Sequence, residues 1–373
     1  MRSAVVIAPT LSSNALGRAL AIAELLSEVA EGVRVYGRGR GRVWAGAAQH
    51  RAVARRVSSG RDLVEEVAAL PGPRMMWVVK AMPPSWGLAR ALSRALPETA
   101  MVLDLDDDDE ALAAEFRTRS VGNRLRLNRL RGGHPARIRR AMEAAVPVAD
   151  GLTYSSRALA ETLDLPVNGP RLCVPHPRHR AARAERREGS DGRVHVGCLG
   201  TLREHKGVEA LDALLAFEPS LVLHVFEGAP ERLLAHGPRR VIVRDAATPL
   251  EQLYCEIDVT LLPQDTSRGA RLQLPAKLLD AMRFGVPVMA TPTPAIEEMA
   301  GGVYRSVADW HDEAEVVRGI RECASSRAEL GERARARFER DLAIEAQRSR
   351  VAGFAAEVGD AHRAAARRSS SSK

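Results

Sequence analysis

The sequence predicts an α/β protein of two doubly wound domains, each a parallel sheet covered by helices on both faces. Three observations carry that prediction. The chain has 373 residues, more than twice a typical domain of ~150 residues, so two domains are expected. Short apolar runs alternate with stretches of helical periodicity along the whole chain, the rhythm that builds parallel sheets. Hydrophobic residues make up 45% and charged residues 27%, which excludes a disordered or collagen-like chain.

The elements follow in order. SAVVIAP (3–9) reads as the first strand, and ALGRALAIAELLSEVA (15–30) carries apolar residues at helical spacing. VRVYG, MMWVVK, TAMVLDL and DGLTYSS are further strands, with GLARALSRAL a helix between the second and third of these. In the second half the strands are VHVGCLG, LVLHVF, RVIVRD, VTLLP and VPVMAT, and the helices are VEALDALLAF, LEQLYCEI and AKLLDAMRF. Aromatics are only 4%, so Leu, Val, Ile and Ala must build both cores. The polar, charged stretch 179–192 is expected to be a linker. That divides the chain into a first domain at 1–178 and a second at 193–340. A C-terminal helix at 341–362 is expected to pack back on the first domain, and the low-complexity residues 363–373 to form a disordered tail.

Composition narrows function further. No run of ~18 uncharged apolar residues exists, which excludes a membrane-spanning helix. The apolar run before Pro9 is too short for a secretory signal. Cys173, Cys198, Cys255 and Cys323 are scattered without a C-x-x-C pair, which argues against a zinc ribbon or disulfide framework and fits a reducing cytoplasm. A formal charge of +8 favours anionic partners: nucleic acid, anionic lipid or nucleotide-linked substrates.

Doubly wound sheets bind ligands beyond the carboxyl ends of their strands, so strand-end loops are where chemistry is expected. The turn after strand one, APTLSSNALGRAL, lacks G-x-G-x-x-G, which disfavours a nicotinamide dehydrogenase. Ser12, Ser13 and Asn14 suit capping of the following helix; Ser13, Asn14, Gly17 and Arg18 are also candidates for an acceptor or phosphate. The acidic run VLDLDDDDEAL contains Asp104, Asp106, Asp107, Asp108 and Asp109. A D-x-D pair can hold a divalent metal on a diphosphate. It also resembles the haloacid-dehalogenase phosphatases, although Asp108 stands where those need Thr or Val. The third reading is a solvated acidic loop. The stretch 117–140 has nine arginines and no acid. It lacks the aromatic platforms of single-strand nucleic-acid binders, so nucleic acid is disfavoured. Contact with an anionic membrane, an acidic acceptor and a solvated loop stay open.

The richest segment is QLPAKLLDAMRFGVPVMATPTPAIEEM (273–299). Pro275 suits a first helical turn, and its free N–H groups with Lys277 can receive a phosphate. DAMRFGVPVMAT resembles E-A-M-A-x-G-x-P-V-V-A-T of the family 4 glycosyltransferases, whose fold, GT-B, sets two Rossmann-like domains around a central cleft. VGCLGTLREHKGVEALDAL resembles that family's G-x-L-x-x-x-K-G pattern, and PLEQLYCEIDVTLLPQ its E-E-L-x-x-L-Y-A-x-A-D-V-x-V-L-P-S. The resemblance covers about 193–300.

The resemblance implies a retaining, metal-independent transfer of a sugar from a nucleotide-sugar donor to an acceptor hydroxyl on a small molecule or glycan. No cofactor is implied, because the nucleotide sugar is a co-substrate. Lys206 matches the basic residue that neutralises the donor diphosphate. Thr201 follows Gly200 where the family has Arg, and Arg203 stands two residues on as a replacement charge. Asp280 matches the carboxylate that accepts from the ribose hydroxyls. The family's other Glu falls at Leu272, which suits the divergent branch with P-x-K-L-L-x-A-M, placing Leu274, Pro275, Ala276 and Lys277 at the donor. Glu227 and Gly228 fall where the family contacts the nucleoside. MMWVVKAMPPSWGLA followed by VLDLDDDDE resembles the K-P-x-x-P-S … D-I-D-D of some actinobacterial-type members. That assigns Asp106 and Asp107 to the sugar or acceptor rather than to a metal, with Lys80 and Asp104 as further cleft candidates. The departures at Leu272 and Thr201 motivate two alternatives: a catalytically silent nucleotide-binding partner of the same fold, or a nucleotide-sugar epimerase.

Overall fold

A computed structural model describes residues 1–119, 121–127, 133–185, 192–203 and 206–371. The chain divides into two compact units: Met1–Pro177 together with Gln347–Lys373, and Arg178–Ala346.

The first unit is built on seven parallel strands. These are β1 (Ser3–Ala8), β2 (Gly32–Gly37), β3 (Ala54–Arg56), β4 (Arg74–Val79), β5 (Ala100–Leu105), β6 (Gly151–Tyr154) and β7 (Arg171–Cys173), in the order β3-β2-β1-β4-β5-β6-β7. β1 and β5 are buried along their whole length, as strands covered on both faces must be. The chain runs outward from β1 to β3, then crosses back to β4. The order therefore reverses between β1 and β4, and the loops beyond that point are where a doubly wound sheet opens a ligand site.

The second unit repeats the plan with β8 (Val194–Gly197), β9 (Leu221–Phe226), β10 (Val241–Arg244), β11 (Val259–Leu262), β12 (Val288–Ala290) and β13 (Arg305–Ser306), in the order β10-β9-β8-β11-β12-β13. Its reversal lies between β8 and β11. The core beneath is aliphatic, with Val196, Leu211, Leu214, Leu223, Val225, Leu261 and Ile320 all buried.

The long strands and the five helices expected from periodicity are present. β3, β7 and β13 have no counterpart in the sequence reading. They are edge or near-edge strands of two or three residues, too short to carry a period.

Two expectations about the connections are corrected. The segment expected as a linker is part of the second unit over 179–185: Ala184 is buried and its N–H donates to the Phe284 carbonyl at 3.0 Å. Its remaining residues 186–191 lie outside the described ones. The expected disordered tail is helical through Ser371 within the helix Ile344–Ser371, with 372–373 outside the described residues. Phe354 of that helix packs against Trp77 of β4, centroids 6.3 Å apart, and His362 Nδ1 lies 3.0 Å from Asp150 Oδ2.

Candidate functional site

In the second unit the loops leaving β8 and β11 touch at Gly207. Its φ is +71°, and a Cβ there would lie 2.0 Å from the Pro263 carbonyl oxygen. Only glycine combines that backbone with that contact. The turn before it is closed by the Lys206 N–H donating to the Arg203 carbonyl at 2.8 Å. Lys206 is thereby held at the mouth of a pocket lined also by Leu262, Gln264, Pro275 and Lys277.

The helix Ala276–Phe284 supplies the opposite wall. Pro275 leads into it, and Gly285, with φ +68°, closes it by donating to the Ala281 and Met282 carbonyls. Leu278, Leu279, Ala281 and Met282 bury its inner face. Lys277 leaves the first turn and passes over Gly200, its Nζ 3.8 Å from where a Cβ on Gly200 would stand. The ammonium then donates to Cys198 Sγ at 3.1 Å. Two lysines from different elements and a helix N-terminus thus share one pocket at the sheet's reversal point. Such an arrangement suits a diphosphate, because the first-turn N–H groups lack intrahelical partners and carry partial positive charge.

The other expected donor residues belong to the same unit. Thr201, Arg203, Glu227 and Gly228 are exposed on the loops after β8 and β9, and Leu274 and Pro275 are buried at the helix entrance. Asp280 is buried, and its Oδ1 accepts from Arg178 Nε at 2.7 Å. The carboxylate expected to meet ribose hydroxyls therefore already carries a buried ion pair. Burial first, and the Asp280 charge second, push the Tyr254 hydroxyl well above its usual range. Leu272, at the position of the family's first Glu, is 3% exposed and part of the core.

Three contributors escaped the sequence reading. Cys198 anchors Lys277, and Arg178 partners Asp280. Gln264, which is buried, donates from its Nε2 to the Ala270 and Gln273 carbonyls and fixes the loop before the helix. Cys198 could have been suspected from its place at the end of an apolar strand. The other two carry no local signal.

In the first unit the acidic run is organised around two cations. Asp104 lies in the middle of the sheet, where β5 pairs with β6 and Asp104 faces Thr153 in register. Its carboxylate is fully buried and accepts two bonds from Arg18, Nε to Oδ2 at 2.9 Å and Nη2 to Oδ1 at 2.8 Å. Thr153 Oγ1 donates to Oδ1 at 2.7 Å, and Arg18 Nη2 also donates to the Val174 carbonyl at 2.8 Å. Arg18 and Asp104, expected near an acceptor, thus form an ion pair inside the sheet. A buried charge must be paired, and these two pair with one another, while the buried Arg18 Nη1 makes no hydrogen bond.

Lys80 is the second cation. It ends β4 with φ +54°, in the left-handed region uncommon for a non-glycine residue. Its N–H donates to the Asp104 carbonyl at 2.8 Å, and its carbonyl accepts from Ser85 Oγ. The ammonium is 6% exposed and lies 2.7 Å from Asp106 Oδ1, 2.7 Å from Asp107 Oδ2 and 2.9 Å from Asp109 Oδ1. Lys80, expected as a cleft candidate, is therefore a buried hub.

Three carboxylates face one ammonium, so the cluster carries excess negative charge when all ionise. Burial pushes Asp106 up to about 7, opposed by Lys80 and reinforced by Asp107 and Asp109. Asp109 is raised for the same reasons. Asp108 caps the following helix, accepting from the Ala111 N–H at 3.0 Å. Asp106 is turned inward, and Asp107 keeps the more open carboxylate, 13% exposed against 8%. Among the described residues no group of three His, Cys, Asp or Glu side chains is arranged to hold a metal.

In the turn after β1, Ser13 Oγ accepts from the Ala15 N–H at 3.4 Å, while exposed Asn14 makes no capping bond. A Cβ on Gly17 would meet the Trp44 ring at 3.1 Å, so that glycine serves packing. Of the basic stretch 117–140, residues 120 and 128–132 lie outside the described ones.

Comparison with known proteins adds the following. Residues 193–326 match the family model described as Glycosyl transferases group 1. No curated protein sequence matches significantly. Among solved structures, the chain is similar to a sucrose-phosphate synthase from Thermosynechococcus elongatus, with TM-score 0.67, 14% identity, 97% of this chain and 100% of that one covered. HepE from Anabaena, in complex with UDP-glucose, aligns with TM-score 0.68 and 13% identity over 95% of this chain and 100% of the other. A glycosyltransferase from Rickettsia africae aligns with TM-score 0.60 and 9% identity over 96% and 98% of the two chains. At these identities the likeness establishes the fold: two Rossmann-like α/β units, as in the GT-B glycosyltransferases.

Proposed function

We propose that this protein is a GT-B glycosyltransferase that moves a sugar from a nucleotide-sugar donor to an acceptor hydroxyl, with retention of configuration and without a metal or other cofactor. One observation carries the reading. Lys206 and Lys277, brought from a strand-end loop and a helix first turn, face one pocket inside the segment that matches the glycosyltransferase family model. As the donor's glycosidic bond breaks, negative charge grows on the departing diphosphate. Two ammonium groups and the N–H groups before Leu278 are placed to stabilise it. A donor phosphate oxygen then takes the acceptor's proton on the same face, so no carboxylate base is required. The Lys80 ammonium occupies the place among Asp106, Asp107 and Asp109 where a divalent ion would sit, which supports metal independence. Asp107, more open than its D-x-D neighbour Asp106, is the residue proposed to meet the acceptor.

Leu272 and Thr201 favour a second reading, a silent protein that binds nucleotide without turnover. An apolar core residue stands where the family places one sugar-binding Glu. The deciding experiment screens nucleotide sugars for slow release of nucleoside diphosphate, with UDP-glucose first because HepE is solved with it, in buffer containing EDTA. Release is expected, and Lys206→Ala should slow it by about 3 kcal/mol of barrier, the scale of one lost oxyanion-stabilising donor. Nucleotide binding without release would establish the silent reading. Loss of activity in EDTA, restored by a divalent ion, would overturn metal independence.

A further inference from the structure

The arginine-rich stretch of the first unit has no part in the chemistry above. Within it the short helix Val121–Arg126 exposes two apolar side chains, Val121 at 71% and Leu125 at 68%. Residues at i and i+4 share a helical face, so the two form one apolar spot. The neighbouring Leu127 is half-buried instead, close enough that a Cβ on Gly133 would lie 2.9 Å from its Cδ2. Asn123 Nδ2 donates to the Phe116 carbonyl at 2.9 Å and ties the segment to the helix Asp109–Thr118. The helix Pro135–Ala145 packs on that same helix. Exposed Arg119, Arg124, Arg137 and Arg140 therefore belong to the elements gathered there. Arg139 is matched by Glu110, and the stretch 117–140 itself contains no acid.

We propose that this surface docks on an anionic lipid bilayer, with Val121 and Leu125 entering the headgroup–acyl boundary and the arginines meeting lipid phosphates. Charge complementarity selects an anionic partner, and the exposed apolar pair selects a bilayer over a soluble polyanion, which gives Val121 and Leu125 nothing to bury against. Single-stranded nucleic acid is disfavoured because no aromatic residue lies between 117 and 140. Amphipathic segments rich in Arg with a small apolar face bind interfaces in this way. The inference is independent of the donor chemistry.

The test is cosedimentation of the full chain with vesicles of mixed phosphatidylglycerol and phosphatidylcholine, against vesicles of phosphatidylcholine alone. Binding to the anionic vesicles only is expected. Arg124→Gln with Arg140→Gln should weaken it by about 25-fold, at roughly fivefold per surface arginine. Val121→Ser with Leu125→Ser leaves the charge unchanged and should weaken binding by roughly tenfold. These side chains are exposed, so circular dichroism should show both variants folded. Absence of binding to anionic vesicles would overturn the proposal. So would a serine variant that binds like the parent, or a single-stranded oligonucleotide that binds more tightly than the vesicles; either would mark the surface as a site for soluble polyanions.

Discussion

Replacing Lys80 by Met removes the one ammonium that three aspartates share, with little change in side-chain length. At 2.7–2.9 Å, each contact is worth about 6 kcal/mol at an effective dielectric near 20. Desolvation of each ion takes back several kcal/mol. Loss of one partner from a buried pair leaves a net deficit of about 3–5 kcal/mol, so Lys80→Met should destabilise the first unit by that amount at pH 8. The deficit must depend on pH. Burial already raises Asp106 to about 7 and raises Asp109, and without Lys80 both rise further. A carboxyl whose folded pKa lies above its unfolded value contributes stability at low pH, lost as pH rises through the folded value. The parent should therefore weaken as pH rises from about 4 to about 7, between the unfolded and folded values of Asp106, and the variant should go on weakening above that, recovering toward pH 5 as its carboxyls take up protons. Native-state hydrogen exchange of the β4 and β5 amides reads this unit separately from the other. A deficit under about 1 kcal/mol at pH 8, or one equal at pH 5 and pH 8, would refute the view of Lys80 as a buried charge hub.

Other outcomes follow from the second unit. Gly207→Ala forces a Cβ against the Pro263 carbonyl at positive φ; it should cost more than about 2 kcal/mol and abolish nucleoside diphosphate binding in calorimetry, because Lys206 moves with the turn. Arg178→Ala should lower stability by about 3–5 kcal/mol by orphaning buried Asp280, while the double change Arg178→Met with Asp280→Leu should cost less than the single one in urea titration. Burial, helped by Arg244 and His195, lowers His224 to about 3. A depressed histidine contributes stability above about pH 6.5 that is lost as pH falls, about 2 kcal/mol by pH 5. His224→Phe should flatten that acid limb in a calorimetric pH series.

The sequence by itself determined the alternation of strands and helices, because strands buried on both faces must be apolar runs and the helices between them must show a 3.6-residue period. It also directed the search for ligand chemistry to the strand-end loops. The turn glycine beside Lys206 and the proline before Lys277 are local signals, written within a few residues of the groups they place. β3, β7 and β13 were not legible, since two or three residues at or near a sheet edge owe their conformation to the neighbouring strand. The fate of the charges was not legible either. Arg18 and Asp104 are 86 residues apart, and each reads as a loop or strand-end polar group until the sheet buries them together. Arg178 and Asp280 are 102 apart and meet only once residues 178–185 pack on the second unit. Lys80 and the aspartates look alike in sequence as cleft ligands. The tertiary structure separates them, because ions removed from water must find counter-ions, and the register of β4 with β5 decides which counter-ions lie within reach.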